Sequence, residues 1–515
     1  MLRELLYVAA GLVSLAYAAD IFFNGGDDPR EPVRIRPRFP LIGHVLGLMA
    51  EGPTYYRKTS KAAGTEIYTL GCFNFKVYIS ASSRLLPFIQ KHSRALSFRP
   101  FLQLVARKYG DASDAAYEIF GGTLPDDLSQ SVKMSLAPGR HLDQLSLRMG
   151  KRVLVDIQEL LNNSNGDGVR LLAWARHAVV QATSCAVYGE EHPFLDPEVE
   201  SSYWKWMTYL TAHLVGWLDV TKKGYAARQR VFKSYIRYCS NVPEESSHLM
   251  KEHQRVLGEA GISNTDKAKQ AAIFTIASFS NSAPTLYWTL WELFSRPEIL
   301  SEVREELLTS GAVVVSPPEQ VDSEKTFVLD VAILKSHCPL LLSVFQETQR
   351  TRHVNPSFRK VLHDTLLDDK YLLKEGHYLQ VPGNVIHYET NIWGPTASQF
   401  DPYRFVPKKG EGEKEMLVKT ASGFVPWGAA PYLCPARQFA ATEILIIAAL
   451  LAMRADITPA GGRWDKNPAL NHADLATLSP PKKDVEMSVG VREDWVGKWE
   501  LKMGESKSRV PLASG

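Results

Sequence analysis

Cysteine is scarce in this chain and badly placed for crosslinking. The 515 residues include five, at positions 72, 185, 239, 338 and 434, an odd number with no C-x-x-C pair. Such spacing excludes a disulfide framework and a zinc site, and it fits a reducing compartment. Charge of one sign is also scarce. Lys and Arg number 59 against 56 Asp and Glu, leaving a formal net charge of +3 and a pI near 8.4. That balance is too mild to argue for nucleic acid as a partner. There is no internal repeat, no low-complexity tract and no composition break that marks a second catalytic domain.

What is present is apolar bulk. The 45% hydrophobic and 10% aromatic content suit a large, well-buried globular body. The first apolar stretch, residues 5–19, continues through Ile21, Phe22 and Phe23 past Asp20. It comes close to the ~20 residues a spanning helix needs. Tyr17-Ala18-Ala19 resembles a signal-peptide cleavage site, which makes a cleaved leader the rival reading. Arg30, Arg34, Arg36 and Arg38 follow the stretch, against Arg3 before it. The positive-inside rule therefore predicts a retained anchor over residues 1–28 with the body in the cytosol. Residues 29–45 carry Pro29, Pro32, Pro37 and Pro40, then Gly43. Proline at that density predicts a stiff, extended hinge, and residues 46–515 form the body.

Within the body, 65–80 (TEIYTLGCFNFKVYIS) alternates on both sides of a turn and predicts a β-hairpin. Most of 84–310 has helical periodicity. A surface loop is expected over 309–328, and short strands near 370–382 and 484–503. The expected fold is mainly α with small peripheral β-sheets.

Three stretches carry chemistry. The first is FVPWGAAPYLCPARQFA, from Phe424 to Ala440, where Cys434 lies in a Gly, Pro and Ala loop. The apolar run from Gln438 to Met453 predicts a buried helix directly after it, interrupted only by Thr442 and Glu443. A cysteine at a helix N-terminus meets free N–H groups and the positive end of the dipole, which favour thiolate. The ordinary alternative is a small core cysteine. The second stretch is a helix headed by Pro339, with Glu347 and Arg350 three apart on one face. Alone, that pair reads as a surface ion pair of little consequence. The third is a long helix over 266–295, whose centre reads ASFSNSAPTLYW. Pro284 cannot donate to the Ser280 carbonyl, so a kink and a free carbonyl are expected there. Small-residue helix packing is the ordinary alternative. Asn281 offers both a donor and an acceptor and can orient a water.

Together with FDPYRF at 400–405, preceded by HYETNIWGP at 387–395, these motifs resemble in their order those of the cytochrome P-450 superfamily. In that family an aromatic stands seven before the cysteine, Gly four before, Arg two before and Gly two after. Trp427, Ala430, Tyr432 and Ala436 occupy those positions here. The run is closest in style to the sterol and bile-acid 7α-hydroxylases and prostacyclin synthase. Asn281 with a proline three residues later is also that branch's pattern, where most members have an acid and then Thr at the positions of Ser280 and Asn281.

The resemblance implies one catalytic domain on an N-terminal transmembrane helix. It implies Cys434 as the thiolate ligand of haem b, and Glu347, Arg350 and Arg404 as a buried structural network. Ser280 and Asn281 become the catalytic groove that feeds protons during dioxygen activation. Arg359 becomes a propionate partner, with Trp427 and Tyr432 beside the cofactor. The usual W-x-x-x-R is absent, and Arg140, His141 or Arg148 are the substitutes near its place. Segment 352–357 (RHVNPS) is expected to line the substrate cavity. The implied activity is monooxygenation of a lipophilic substrate, a sterol or terpenoid skeleton, in a setting that includes secondary metabolite biosynthesis. The chain has no fused Rossmann or flavin segment, so electrons would come from NADPH through a cytochrome P-450 reductase at the endoplasmic reticulum membrane. Two alternatives remain open at this level: a haem-thiolate isomerase or dehydratase acting on a peroxide without dioxygen or NADPH, and a non-catalytic haem- or lipid-binding protein.

Overall fold

The apolar run after Cys434 becomes the helix Arg437–Arg454, and the fold is assembled around it. Every residue of that helix from Ala441 to Arg454 is buried. A helix apolar on all sides must be surrounded, and helices Arg140–Asn162, Ser282–Phe294, Pro297–Thr309, Val331–His337 and Pro339–Arg352 pack around it. The computed structural model describes the chain except residues 1, 25, 38, 73, 164–167, 317–323, 355, 408–422, 466, 505–507, 514 and 515.

The long helix expected over 266–295 forms as two, Asn264–Phe279 and Ser282–Phe294. The break falls at Ser280 and Asn281, just upstream of Pro284, because Pro284 has no N–H for the Ser280 carbonyl. The effect was expected at the proline and is expressed one turn earlier.

The hairpin over 65–80 is present, with Ile67–Cys72 antiparallel to Phe75–Ser80. It joins a six-stranded sheet in the order Arg34–Ile35, Ile67–Cys72, Phe75–Ser80, Tyr378–Pro382, Pro356–Val361, Leu96–Ser97. This sheet brings the strand that follows the Pro339 helix, and with it Arg359, beside the N-terminal strands. Tyr371–Leu373, Glu486–Val491 and Lys498–Lys502 appear where short strands were expected. The loop expected over 309–328 is corrected. Val313–Ser316 and Thr326–Asp330 pair antiparallel, and Lys498–Lys502 adds to them in parallel. Three consecutive valines favour a pleated partner over a loop; that partner is Thr326–Asp330, and the distant strand Lys498–Lys502 pairs with its other edge.

The stretch after the N-terminal helix is bonded to the sheet. Asp27 forms a bidentate pair with Arg34 at 2.7 Å, and Lys76 Nζ reaches Asp27 at 2.8 Å and Glu31 at 2.7 Å. The Tyr78 hydroxyl donates to Glu31, and Thr69 Oγ1 donates to the Pro32 carbonyl. Ahead of it, the helix Leu2–Asn24 has 23 residues. Among the described residues no helix is long and apolar enough to cross a membrane, and several side chains of Leu2–Asn24 lie outside the described set.

Candidate active site

The cysteine loop is closed by its own backbone. The Cys434 N–H donates to the Trp427 carbonyl at 2.9 Å, and the Tyr432 N–H donates to the Ala429 carbonyl at 3.2 Å. Gly428 has φ of +88°, and a Cβ there would meet the Tyr432 carbonyl oxygen at 3.0 Å, so glycine is required at this turn. Neither Ala430 nor Ala436 has positive φ. The backbone therefore tolerates the two alanines that stand where glycine is usual. Cys434 lies at the start of the Arg437–Arg454 helix, with Arg437 donating to its carbonyl at 3.2 Å. Burial pushes the Cys434 thiol up, while the Ala436 N–H and the Arg437 charge pull it down. The helix terminus thus favours the thiolate, and burial opposes it. A metal ion at the sulfur deprotonates it outright.

Arg359 meets this loop from strand Pro356–Val361. Its guanidinium donates to the Ala429 carbonyl at 2.9 Å, to Ser357 Oγ at 3.0 Å and to the Phe358 carbonyl at 2.6 Å. It lies 4.6 Å from the centre of the Tyr432 ring. It is 2% exposed, and no carboxylate lies within salt-bridge distance among the described residues. Burial lowers its pKa to about 10. Trp427 Nε1 is likewise buried without a hydrogen-bond partner among the described residues. Arg140 and His141 lie exposed at a helix start, His141 stacked on His248, and Arg148 donates to the Ala186 carbonyl. No described contact brings those three to the cysteine loop.

Glu347, Arg350 and Arg404 do come together. Arg350 spends all five of its N–H donors: on both Glu347 oxygens at 2.6 and 2.7 Å, and on the carbonyls of His387, Ala397 and Gln399. Arg404 Nε reaches Glu347 Oε1 at 3.1 Å and its other nitrogens bond the carbonyls of Trp393 and Thr396. The segment with two of the sequence motifs, 387–405, is thereby wrapped around one carboxylate. His387 links this network to the cysteine loop, a role the sequence did not reveal. Its Nε2 accepts from the Val425 N–H at 2.9 Å, so its Nδ1 carries the proton and donates to the Arg350 carbonyl at 3.1 Å. Burial holds its pKa well below the usual value.

The helix break forms the remaining part. Ser280 Oγ turns back to the Ile276 carbonyl. Asn281 Oδ1 accepts from the Thr477 N–H at 2.9 Å and from Thr477 Oγ1 at 3.2 Å. The acceptor half of Asn281 is thus occupied, and only its Nδ2 donor remains for a ligand or water. That narrows the donor-and-acceptor reading of the residue. Thr477 also accepts from the Val354 N–H at 2.8 Å, which joins segment 352–357 to the same break. In that segment Arg352 is paired with Glu292 and His353 is buried, while Asn355 lies outside the described residues. Glu443 supplies an acid that the break itself lacks. It is 1% exposed, accepts from Thr183 Oγ1 at 2.6 Å and from the Ser282 hydroxyl, and burial raises its pKa to about 8. A carboxyl in an otherwise apolar run was the available signal for it; nothing in the sequence singles out Thr477.

A thiol at a helix start, a buried guanidinium without a carboxylate and an indole N–H without an acceptor are the surroundings of an anionic, metal-bearing cofactor. The comparisons agree. A family model described as Cytochrome P450 matches residues 243–483. Cytochrome P450 monooxygenase nodJ of Hypoxylon pulicicidum is 31% identical over 515 residues, covering 98% of this chain and 99% of its own. The 7-alpha-hydroxycholest-4-en-3-one 12-alpha-hydroxylase of Homo sapiens is 28% identical over 252 residues, 47% of this chain and 48% of its own. The solved structure of a retinoic acid-bound cyanobacterial CYP120A1 shares the fold, with a TM-score of 0.67 at 16% identity over 90% of this chain and 99% of that one. The chain belongs to the cytochrome P450 family. It is an oxidoreductase of the monooxygenase type, with haem b as its cofactor, a lipophilic substrate and a redox partner.

Proposed function

We propose that this protein is a membrane-anchored monooxygenase that hydroxylates a sterol or terpenoid skeleton, with electrons from NADPH–cytochrome P450 reductase. The overall change is R–H + O2 + NADPH + H⁺ → R–OH + H2O + NADP⁺. The observation that carries the reading is Cys434 at the head of a buried helix beside Arg359, a buried cation whose protein partners are all neutral. Haem b held by the Cys434 thiolate supplies the oxidising chemistry, since thiolate ligation favours O–O cleavage. The chain's own residues do the rest. Arg359 neutralises a propionate, and the Tyr432 ring holds the guanidinium flat. The Trp427 indole supplies a donor to the anionic side of the cofactor. Glu347, Arg350, Arg404 and His387 hold the cysteine loop in place from behind. Asn281 and Ser280 line the groove on the substrate side, Asn281 with a donor, and Val354 borders the cavity through its bond to Thr477. The sterol preference is supported by the human relative named for a cholestenone, and by the Asn281 pattern.

The helix Leu2–Asn24, about 34 Å long at 1.5 Å per residue, matches the ~30 Å of a hydrocarbon core. Tyr7, Leu15, Ile21 and Phe22 on it are exposed. Arg30, Arg34 and Arg36 beyond it favour a cytosolic body at the endoplasmic reticulum, with 1–28 as anchor, 29–45 as hinge and 46–515 as catalytic domain. The test is reconstitution of the full-length protein with reductase, NADPH and a panel of sterols, terpenoids and fatty-acid peroxides. A hydroxylated product carrying oxygen from labelled O2 is expected. Product formed from a peroxide without NADPH overturns the reading, and so does a Cys434→Ser variant that keeps the red-shifted Soret band of the reduced carbon monoxide complex.

A further inference from the structure

We propose that Thr477 is a positioning residue that locks the side chain of Asn281, leaving a single-polarity groove in which Nδ2 is a fixed hydrogen-bond donor toward whatever binds on the distal side of the haem. The proposal rests on the haem-thiolate reading above. Its starting point is that a backbone N–H can only donate. The Asn281 atom that faces the Thr477 N–H at 2.9 Å must therefore be Oδ1. Thr477 Oγ1 lies 3.2 Å from the same oxygen, so two donors converge on it. Flipping the amide would set Nδ2 against that N–H, losing a bond and stranding a donor. Such a loss disfavours the flipped form by roughly ten- to a hundred-fold.

Thr477 is itself held. Its carbonyl accepts from the Val354 N–H at 2.8 Å, and Leu478 bridges His353. The next residue, Ser479, accepts from Trp288 Nε1 at 2.9 Å, on the helix that begins at Ser282. Asp474 accepts from the Ala476 N–H on the other side. The loop is thus tied to both the Asn281 helix pair and the 352–357 segment. The Asn281 carbonyl is occupied too, by the Thr285 N–H and Oγ1. Asn281 retains donors alone, and Nδ2 has no partner among the described residues. The residue therefore presents a positive dipole of fixed direction. It stabilises negative charge beside it and cannot accept a proton, so a proton that passes through the groove must be carried by water or by another side chain.

The experiment uses the full-length haem-loaded protein and carbon monoxide as the probe, read by the C–O stretching band of the reduced complex. A donor near the bound oxygen end lowers that frequency and an acceptor raises it. Wild type is expected to show one band. Asn281→Asp keeps the shape, uses one oxygen for the two Thr477 donors and turns the other, an acceptor, to the ligand. Its band is expected highest, with Asn281→Val between it and wild type. Thr477→Val retains the N–H and should leave the band in place. Thr477→Pro removes the N–H and should add a second band toward the Asn281→Asp position. If Thr477→Pro does not load haem, the order Asp, Val, wild type decides. Equal bands in wild type, Asn281→Val and Asn281→Asp overturn the proposal, as do two bands in wild type or a single unshifted band in a haem-loaded Thr477→Pro. Loss of the thiolate-type Soret band in the wild type would instead overturn the haem-thiolate reading.

Discussion

Arg350 and Arg359 lie nine residues apart, and both guanidinium groups are buried. Arg350 has a carboxylate and three carbonyls and leaves no donor unused. Arg359 has only neutral partners, and burial lowers its pKa to about 10. A buried cation that is fully paired within the chain serves the fold, since its cost is met on the spot. One held only by neutral acceptors and a ring keeps its charge for an anion from outside the chain. The same contrast separates Glu347, whose two oxygens take four donors, from Trp427 Nε1 and Asn281 Nδ2. Around Cys434, then, the satisfied polar groups belong to the scaffold, and Arg359, Trp427 and Asn281 keep capacity for a ligand.

Breaking the scaffold side gives the largest effect. Arg350→Leu removes the bidentate cation from Glu347, leaving only the Arg404 and Asp401 donors, a loss of about 3–5 kcal/mol. Little or no haem-loaded protein is expected, measured as the reduced carbon monoxide spectrum per unit of expressed chain. Wild-type yield and melting temperature in this variant would abolish the distinction between the two arginines.

Arg359→Leu should behave in the opposite way. It removes a buried charge that no carboxylate balances, so the haem-free protein should melt no lower than wild type. Haem should bind about 10- to 100-fold more weakly, the range for a lost charged hydrogen bond of ~1.5–3 kcal/mol. Haem transfer to apomyoglobin measures it. A large fall in apoprotein stability with unchanged haem affinity assigns Arg359 to the scaffold instead.

The pH dependence sharpens the comparison, because the two regions slope in opposite directions. His387, on the scaffold side, has a folded pKa well below its ordinary 6.5. The unfolded chain binds the extra proton, so its contribution is present above pH 6.5 and is lost as pH falls. The melting deficit of His387→Gln should therefore shrink from pH 8 toward pH 5. Glu443 has a folded pKa raised from 4.5 to about 8. Here the folded chain holds the proton, and the contribution is lost as pH rises from 4.5 through 8. Glu443→Gln should gain on wild type between pH 6 and pH 9 in parallel thermal melts. A gap that stays level across that range means Glu443 is ionised in the folded protein.

Truncation gives the smallest effect. Removing 1–24 should release the protein from microsomes and leave its melting temperature unchanged. Removing 1–28 also deletes Asp27, the partner of Arg34 and Lys76. That should cost a further ~0.2–1 kcal/mol, the range for accessible ion pairs. A larger loss would show that the N-terminal segment belongs to the scaffold.

Much of this was legible in the linear chain because it depends on local rules. The buried helix after Cys434 follows from an apolar run longer than any one-sided face allows. The 65–80 hairpin follows from alternation, and the interruption near Pro284 from a missing N–H. The order of motifs, Glu347–Arg350, FDPYRF, then the cysteine loop, carried the family. Tertiary structure decided what depends on partners far apart in sequence. It set Lys498–Lys502 against Thr326–Asp330, itself paired with Val313–Ser316, where the local pattern suggested a loop. It set His387 between Arg350 and Val425, brought Glu443 to Thr183 and Ser282, and fixed the Asn281 amide against Thr477. Sequence period records which face of an element is buried. It does not record what that face meets, and the polarity of a side-chain amide is decided only by the donor placed against it.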